Sequence, residues 1–167
     1  MTNIGFTEIL LILLAIILVV AAVVDVRTFT ISNRLNATVA LLALVYWWSI
    51  SLPLWPDAAI QVGVALAVFA VLAITFYIGM MGGGDVKLAA ALALWFSPAS
   101  TVRFLVIMSL AGGLLTVIVL ILDRRKRRTA PAGDSETKPE KPEVPYGVAI
   151  AFGALWILAQ RFLNQFA

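Results

Sequence analysis

The chain has 167 residues, 62% of them hydrophobic and 13% charged, with a mean hydropathy of +1.03. Soluble domains run nearer about 45–50% apolar and about 25% charged, so an ordinary soluble fold is excluded. The net charge is +3, and Cys and His are both absent. That removes disulfides, Cys/His zinc sites, haem held by either residue, thiol nucleophiles, HExxH proteases and Ser-His-Asp triads, which leaves carboxylates, hydroxyls and lysine for any catalysis.

The first apolar run, about Phe6 to Val24, carries Glu8 near its outer end and no basic n-region. It reads as a retained membrane helix, not a cleaved signal peptide. The polar stretch Asp25 to Arg34 follows. A second run, about Leu35 to Leu54, closes at Pro53, Trp55, Pro56 and Asp57, where the prolines predict a tight turn. The third, about Ala58 to Ile78, stops at Gly79 and the triplet Gly82 to Gly84, which is expected to break the helix. The fourth, Val86 to Phe96, has 11 residues and reaches only about 16 Å as a helix. It therefore takes in flanking residues or is partly re-entrant. A fifth run spans about Val102 to Leu122, and a sixth Tyr146 to Phe162. Between them, residues 123–145 are polar, and Thr129 to Glu143 are rich in Pro, Ala, Lys and Glu, the composition of a disordered loop. The expected fold is all-α: a polytopic bundle of about six transmembrane helices forming one membrane-embedded domain over residues 1–167.

Orientation follows from Lys and Arg, which accumulate on the cytoplasmic side. Ten of the 12 fall on one side: Arg27, Arg34, Lys87, Arg124, Arg125, Lys126, Arg127, Arg128, Lys138 and Lys141. The other side holds Arg103 and Arg161. Both termini are thus expected outside, with residues 25–34, 79–87 and 123–145 in the cytoplasm. Trp47, Trp48 and Trp55 read as an aromatic belt at the outer interface. The charged run Asp123 to Arg128 begins where a membrane helix ends, so it reads as a topology anchor in contact with lipid headgroups. No nucleic-acid partner is expected.

The acids outside the long loop are Glu8, Asp25, Asp57, Asp85 and Asp123, and an acid at a membrane boundary is costly unless solvated or paired. Asp25 lies at the cytoplasmic end of the first helix, and Asp85 at the cytoplasmic start of the fourth. Topology alone brings both carboxylates to one level of the membrane. Gly82 and Gly84 leave room for another chain to approach closely. Plainer readings exist for each: Asp25 as a solvated acid beside Arg27, Asp85 as a helix N-cap. The residues by themselves leave both open. The spacing Gly79-x-x-Gly82-x-Gly84 follows a membrane helix instead of a strand, and no GxxxxGK[ST] occurs, so phosphate binding is not expected. Gly112 and Gly113 read as small-residue helix packing.

Three segments carry a resemblance. Asp25-x-Arg27-x-x-x-Ile31-x-Asn33, Gly82-Gly83-Gly84-Asp85-Val86-Lys87 and Pro145-Tyr146-Gly147-x-Ala149 resemble, in order, the first aspartate motif, the GxGD motif with its following Lys, and the closing Pro-Tyr-Gly segment of type IV prepilin peptidases. The family's first motif usually reads Ile-Pro-Asn, and Ser32 here replaces the proline. Larger members carry an N-terminal domain with Cys-x-x-Cys pairs, associated with methylation. This cysteine-free chain is similar to the peptidase-only form of tight-adherence (Flp) pili, from which no methyl transfer is expected.

The resemblance implies an aspartyl endopeptidase of the bacterial cytoplasmic (inner) membrane that removes the short cytoplasmic leader of pilin precursors at the membrane's inner face. Asp25 and Asp85 would be catalytic, and Arg27, Asn33, Gly82, Gly84, Lys87, Pro145, Tyr146 and Gly147 supporting or substrate-binding. No metal or cofactor is required. The expected partners are the pilin precursor, membrane lipid and the pilus assembly machinery. Two carboxyls sharing a proton serve peptide hydrolysis, one drawing a proton from water and the other hydrogen-bonding the scissile carbonyl. They should titrate in coupled steps. With Asp85 at a helix N-terminus and Asp25 after a helix C-terminus, the dipoles favour Asp85 as the base. The alternative from another class is a small transporter or channel subunit using Asp25 and Asp85 as a cation or proton site, which predicts ion flux and no cleavage. A purely structural assembly subunit would be indifferent to Asp→Asn at both positions.

Overall fold

The computed structural model describes residues 4–129 and 144–166. The described residues form six helices and no strand: α1 (Ile4–Thr28), α2 (Asn33–Ser49), α3 (Ala59–Tyr77), α4 (Gly83–Ala93), α5 (Pro98–Thr129) and α6 (Tyr146–Phe166). A short irregular segment, Leu54–Ala58, precedes α3, with Trp55 in extended backbone inside it. The expected disordered piece of the long loop lies outside the described residues. Among the described residues, four stretches are long and apolar enough to cross a membrane: Gly5–Thr28, Leu54–Tyr77, Pro98–Arg125 and Tyr146–Leu163. The protein is a polytopic all-α membrane protein.

Several boundaries differ from those the hydropathy predicts, each for a local reason. α1 runs on through the polar residues after its apolar run, because nothing between Val24 and Thr28 breaks a helix; Asp25 therefore sits on its last turn, not in a loop. Phe29, with φ +50, ends it. α2 starts at Asn33, capped by the Ser32 hydroxyl, which accepts the Leu35 N–H at 3.3 Å. α2 stops at Ser49, short of the expected Leu54. α5 has 32 residues, about 48 Å at helical rise, and outruns a hydrocarbon core of about 30 Å. Its last turns carry Asp123 to Arg128, so the basic run is helical where a loop was expected.

The helices α1, α2, α4 and α6 are packed in sequence neighbour to neighbour, with α3 against α4 and α5 against α6. The short α4 touches α2, α3 and α6, and most of its residues are buried. The core is built of Leu14, Leu18, Val39, Leu88, Leu92, Phe104 and Ile150, all closed to solvent, while Ile9, Ile16, Leu41, Leu66 and Leu110 face outward. An apolar exterior is what a lipid environment permits. Small residues bring backbones together: a side chain on Gly153 would put its Cβ 3.1 Å from the Met108 nitrogen, and one on Gly112 would lie 3.4 Å from the Tyr146 ring. Gly112 thus packs α5 on α6, whereas Gly113 faces open space.

Side chains lace α2 to α4 through backbone carbonyls. Trp47 Nε1 donates to the Leu94 carbonyl at 2.8 Å, and Trp95 Nε1 to the Val39 carbonyl at 3.0 Å. Each bond removes a polar cost in an apolar medium, and the first satisfies a carbonyl at the end of α4. Of the three tryptophans expected in the interfacial belt, Trp48 and Trp55 are exposed, but Trp47 is buried. Its N–H finds a better partner inside.

Candidate active site

The two aspartates are brought together by three segments distant in sequence. Asp25, on the last turn of α1, is 2% exposed; Asp85, on the first turn of α4, is 7% exposed. Ile31 links the two: its main chain lies against Gly84, next to Asp85, and its side chain against Gly147, which bonds Asp25. Neither is a solvated surface acid. The N-cap position of α4 is held by Gly82; Asp85, three residues in, turns its carboxylate back on the Gly82 backbone at the helix N-terminus.

The loop Phe29–Ser32 carries Ile31, which is buried and wedges between two glycines. A Cβ on Gly84 would lie 2.6 Å from the Ile31 carbonyl oxygen; one on Gly147 would lie 2.8 Å from Ile31 Cδ1 and equally close to Asp25 Cγ and Oδ2. At Gly84 the obstacle is main chain, so no side chain fits; at Gly147 a side chain would have to displace the ends of Asp25 and Ile31. Gly147, at the start of α6, donates its N–H to Asp25 Oδ2 at 2.7 Å. On the other carboxylate, a Cβ on Gly82 would meet Asp85 Oδ2 at 2.8 Å. The φ of Gly82 is −71, which any residue adopts, so Gly82 supplies space, and its backbone faces the Asp85 carboxylate.

The helix-end comparison that favoured Asp85 as the base does not survive this geometry. Both carboxylates meet a helix N-terminus: Asp85 that of its own α4, and Asp25 that of α6 through Gly147. Asp25 also stays on the last turn of α1, so the asymmetry between the two is reduced and no longer decides the base. Asp85 Oδ1 is buried and has no hydrogen-bond partner among the described residues.

The remaining expected site residues divide. Gly82, Gly84 and Gly147 touch the cluster directly. Lys87 donates to Asn33 Oδ1 at 2.8 Å, tying α4 to α2 instead of reaching Asp85. Arg27 is exposed. Each is two positions from its aspartate, and residues so spaced on a helix do not face one another. Pro145 leads into α6, and Tyr146 turns towards α5, its ring on Gly112 and its hydroxyl 3.3 Å from Thr116 Oγ1. These two anchor the start of α6 and so hold Gly147 in place.

A further residue at the site is Asn36. It is 5% exposed and donates Nδ2 to the Gly84 carbonyl at 2.9 Å. A lone amide in the apolar stretch of α2, three residues after Asn33 and hence on the same helix face, was its signal in the sequence.

The model of the type IV leader peptidase family matches residues 12–117, well over half of the chain, including Asp25, Asn33 and the run Gly82 to Lys87. No curated protein and no solved structure matches the chain. The chain belongs to the type IV leader peptidase family.

Proposed function

We propose that this protein cleaves the leader peptide from pilin precursors at the cytoplasmic face of the membrane, with Asp25 and Asp85 as the catalytic pair. The observation that carries the reading is that two buried carboxylates, one bonded to the Gly147 N–H and one with no partner for its Oδ1 among the described residues, both border the Ile31 loop.

Hydrolysis at such a pair needs one ionised and one protonated carboxyl, a state that close like charges favour. The ionised member takes a proton from a water as that water attacks the scissile carbonyl; the protonated member hydrogen-bonds the carbonyl oxygen as negative charge develops there. Returning a proton to the leaving amine restores the pair. The substrate segment must be extended at the cut, since a helical carbonyl is occupied by its own hydrogen bond. The cytoplasmic placement rests on the bias of Lys and Arg, which puts the aspartates on the side where a short leader precedes an apolar helix. The proposed activity is peptide cleavage alone, with no methyl transfer.

The test is reconstitution in lipid with a pilin precursor from the same organism and mass spectrometry of the product. Asp25→Asn and Asp85→Asn should each insert, fold and fail to cleave, with rates lower by at least about 100-fold. Cleavage retained in either variant would exclude the diaspartyl mechanism, and ion flux without cleavage would favour a transport role.

A further inference from the structure

We infer that Asn36 is a positioning residue for Asp85, holding the first turn of α4 in the orientation that catalysis needs; this rests on the catalytic reading of Asp85 above. Asn36 belongs to α2 and reaches across 48 positions of sequence to the Gly84 carbonyl, at 2.9 Å. The amide orientation is unambiguous in chemistry: an acceptor oxygen turned towards that carbonyl would be repelled, so Nδ2 must face it. As a helix residue, Gly84 already offers its carbonyl to the N–H four residues on. The bond from Asn36 is a second one to the same oxygen, and it is not needed to satisfy it.

Stability does not explain the residue. Asn36 Oδ1 is buried without a partner among the described residues, and a buried orphan acceptor is a net cost. What the amide does is clamp Gly84. The Ile31 carbonyl oxygen lies so near Gly84 that an added Cβ would come to 2.6 Å of it, which blocks the turn from moving that way, and Asn36 holds the Gly84 carbonyl on another side. The next residue is Asp85. With its flanking peptide held at two points, the carboxylate cannot swing with the turn, and small displacements at a reacting group cost rate steeply.

The experiment uses the full chain reconstituted in lipid with the pilin precursor. Asn36→Leu keeps the shape of the side chain and removes both polar atoms. It should melt at or above the temperature of the unmodified protein and lose about 10- to 100-fold in kcat with KM unchanged. Asn36→Asp supplies a second readout, because its carboxyl donates to the Gly84 carbonyl only when protonated. The ionisable groups at this end of the elements packed on α2 are Asp85 and Lys87 on α4 and Asp25 and Arg27 on α1, with Arg34 on α2 itself, and all are common to both proteins. Its activity relative to the unmodified protein should rise as the pH falls, an effect that packing alone would not produce. An Asn36→Leu protein with unchanged kcat, or an Asn36→Asp protein with no rise at low pH, overturns the positioning role, and if Asp85→Asn is inactive in the same assay the catalytic reading stands. An active Asp85→Asn overturns both.

Discussion

The backbone N–H of Gly147 donates to Asp25 Oδ2 at 2.7 Å across 122 positions of sequence. That bond joins the last turn of α1 to the first turn of α6 and gives the buried carboxylate a fixed partner. A Cβ on the same glycine would come to 2.8 Å of the Asp25 carboxylate and of Ile31 Cδ1. Gly147→Ala should therefore displace the Asp25 carboxylate or push α6 off the site. The expected result is a fall in cleavage of about 100-fold and a loss of about 1–3 kcal/mol in stability, read by mass spectrometry of the product and by melting in detergent.

Gly84 and Gly113 make a paired test of space against propensity. At Gly84 the obstacle to a Cβ is the Ile31 main-chain oxygen at 2.6 Å, which cannot rotate away, whereas Gly113 faces nothing within 4 Å. Gly84→Ala should abolish cleavage. Gly113→Ala should leave cleavage unchanged and raise stability by up to about 1 kcal/mol, because alanine is the better helix former. Equal effects of the two substitutions would contradict the packing of the Ile31 loop on α4.

Lys87 and Asn33 should behave as a unit. Their contact, 2.8 Å between Nζ and Oδ1, ties α4 to the start of α2 at the surface, where such pairs are worth little. Lys87→Met and Asn33→Leu should each slow cleavage by about two- to five-fold, and the double variant should be no slower than either single one. Additive losses in a double-mutant cycle would mean that Lys87 acts on the substrate and not through Asn33.

Ser32 stands where the family usually has proline. Its φ is −69 and its ψ 146, within the range a proline ring imposes. Ser32→Pro gives up the cap to the Leu35 N–H, worth about 1 kcal/mol, and recovers about 0.4–1 kcal/mol by restricting the unfolded chain. The variant should melt within a few degrees of the parent and cleave normally; a large loss of either would mean that the Ser32 hydroxyl does more than cap α2.

Sequence alone determined the membrane fold and, with the family resemblance, singled out Asp25 and Asp85 as the candidates for chemistry. Hydropathy is a local property, and alternation of apolar runs places every second loop on one side, so two acids in loops of the same parity come to one face without knowledge of packing. Helix ends were less legible: α1 and α5 run several residues past their apolar stretches, because polar residues that form helices readily leave no mark where hydropathy stops. Tertiary structure decided the rest. Only the packing of α1, α4 and α6 shows that Ile31 fills the gap between Gly84 and Gly147, that a helix N-terminus faces Asp25 as well as Asp85, and that Asn36 holds the Gly84 carbonyl. These are contacts between residues 48 to 122 positions apart, and in a single sequence nothing records which distant backbone atom a side chain or a glycine is there to meet.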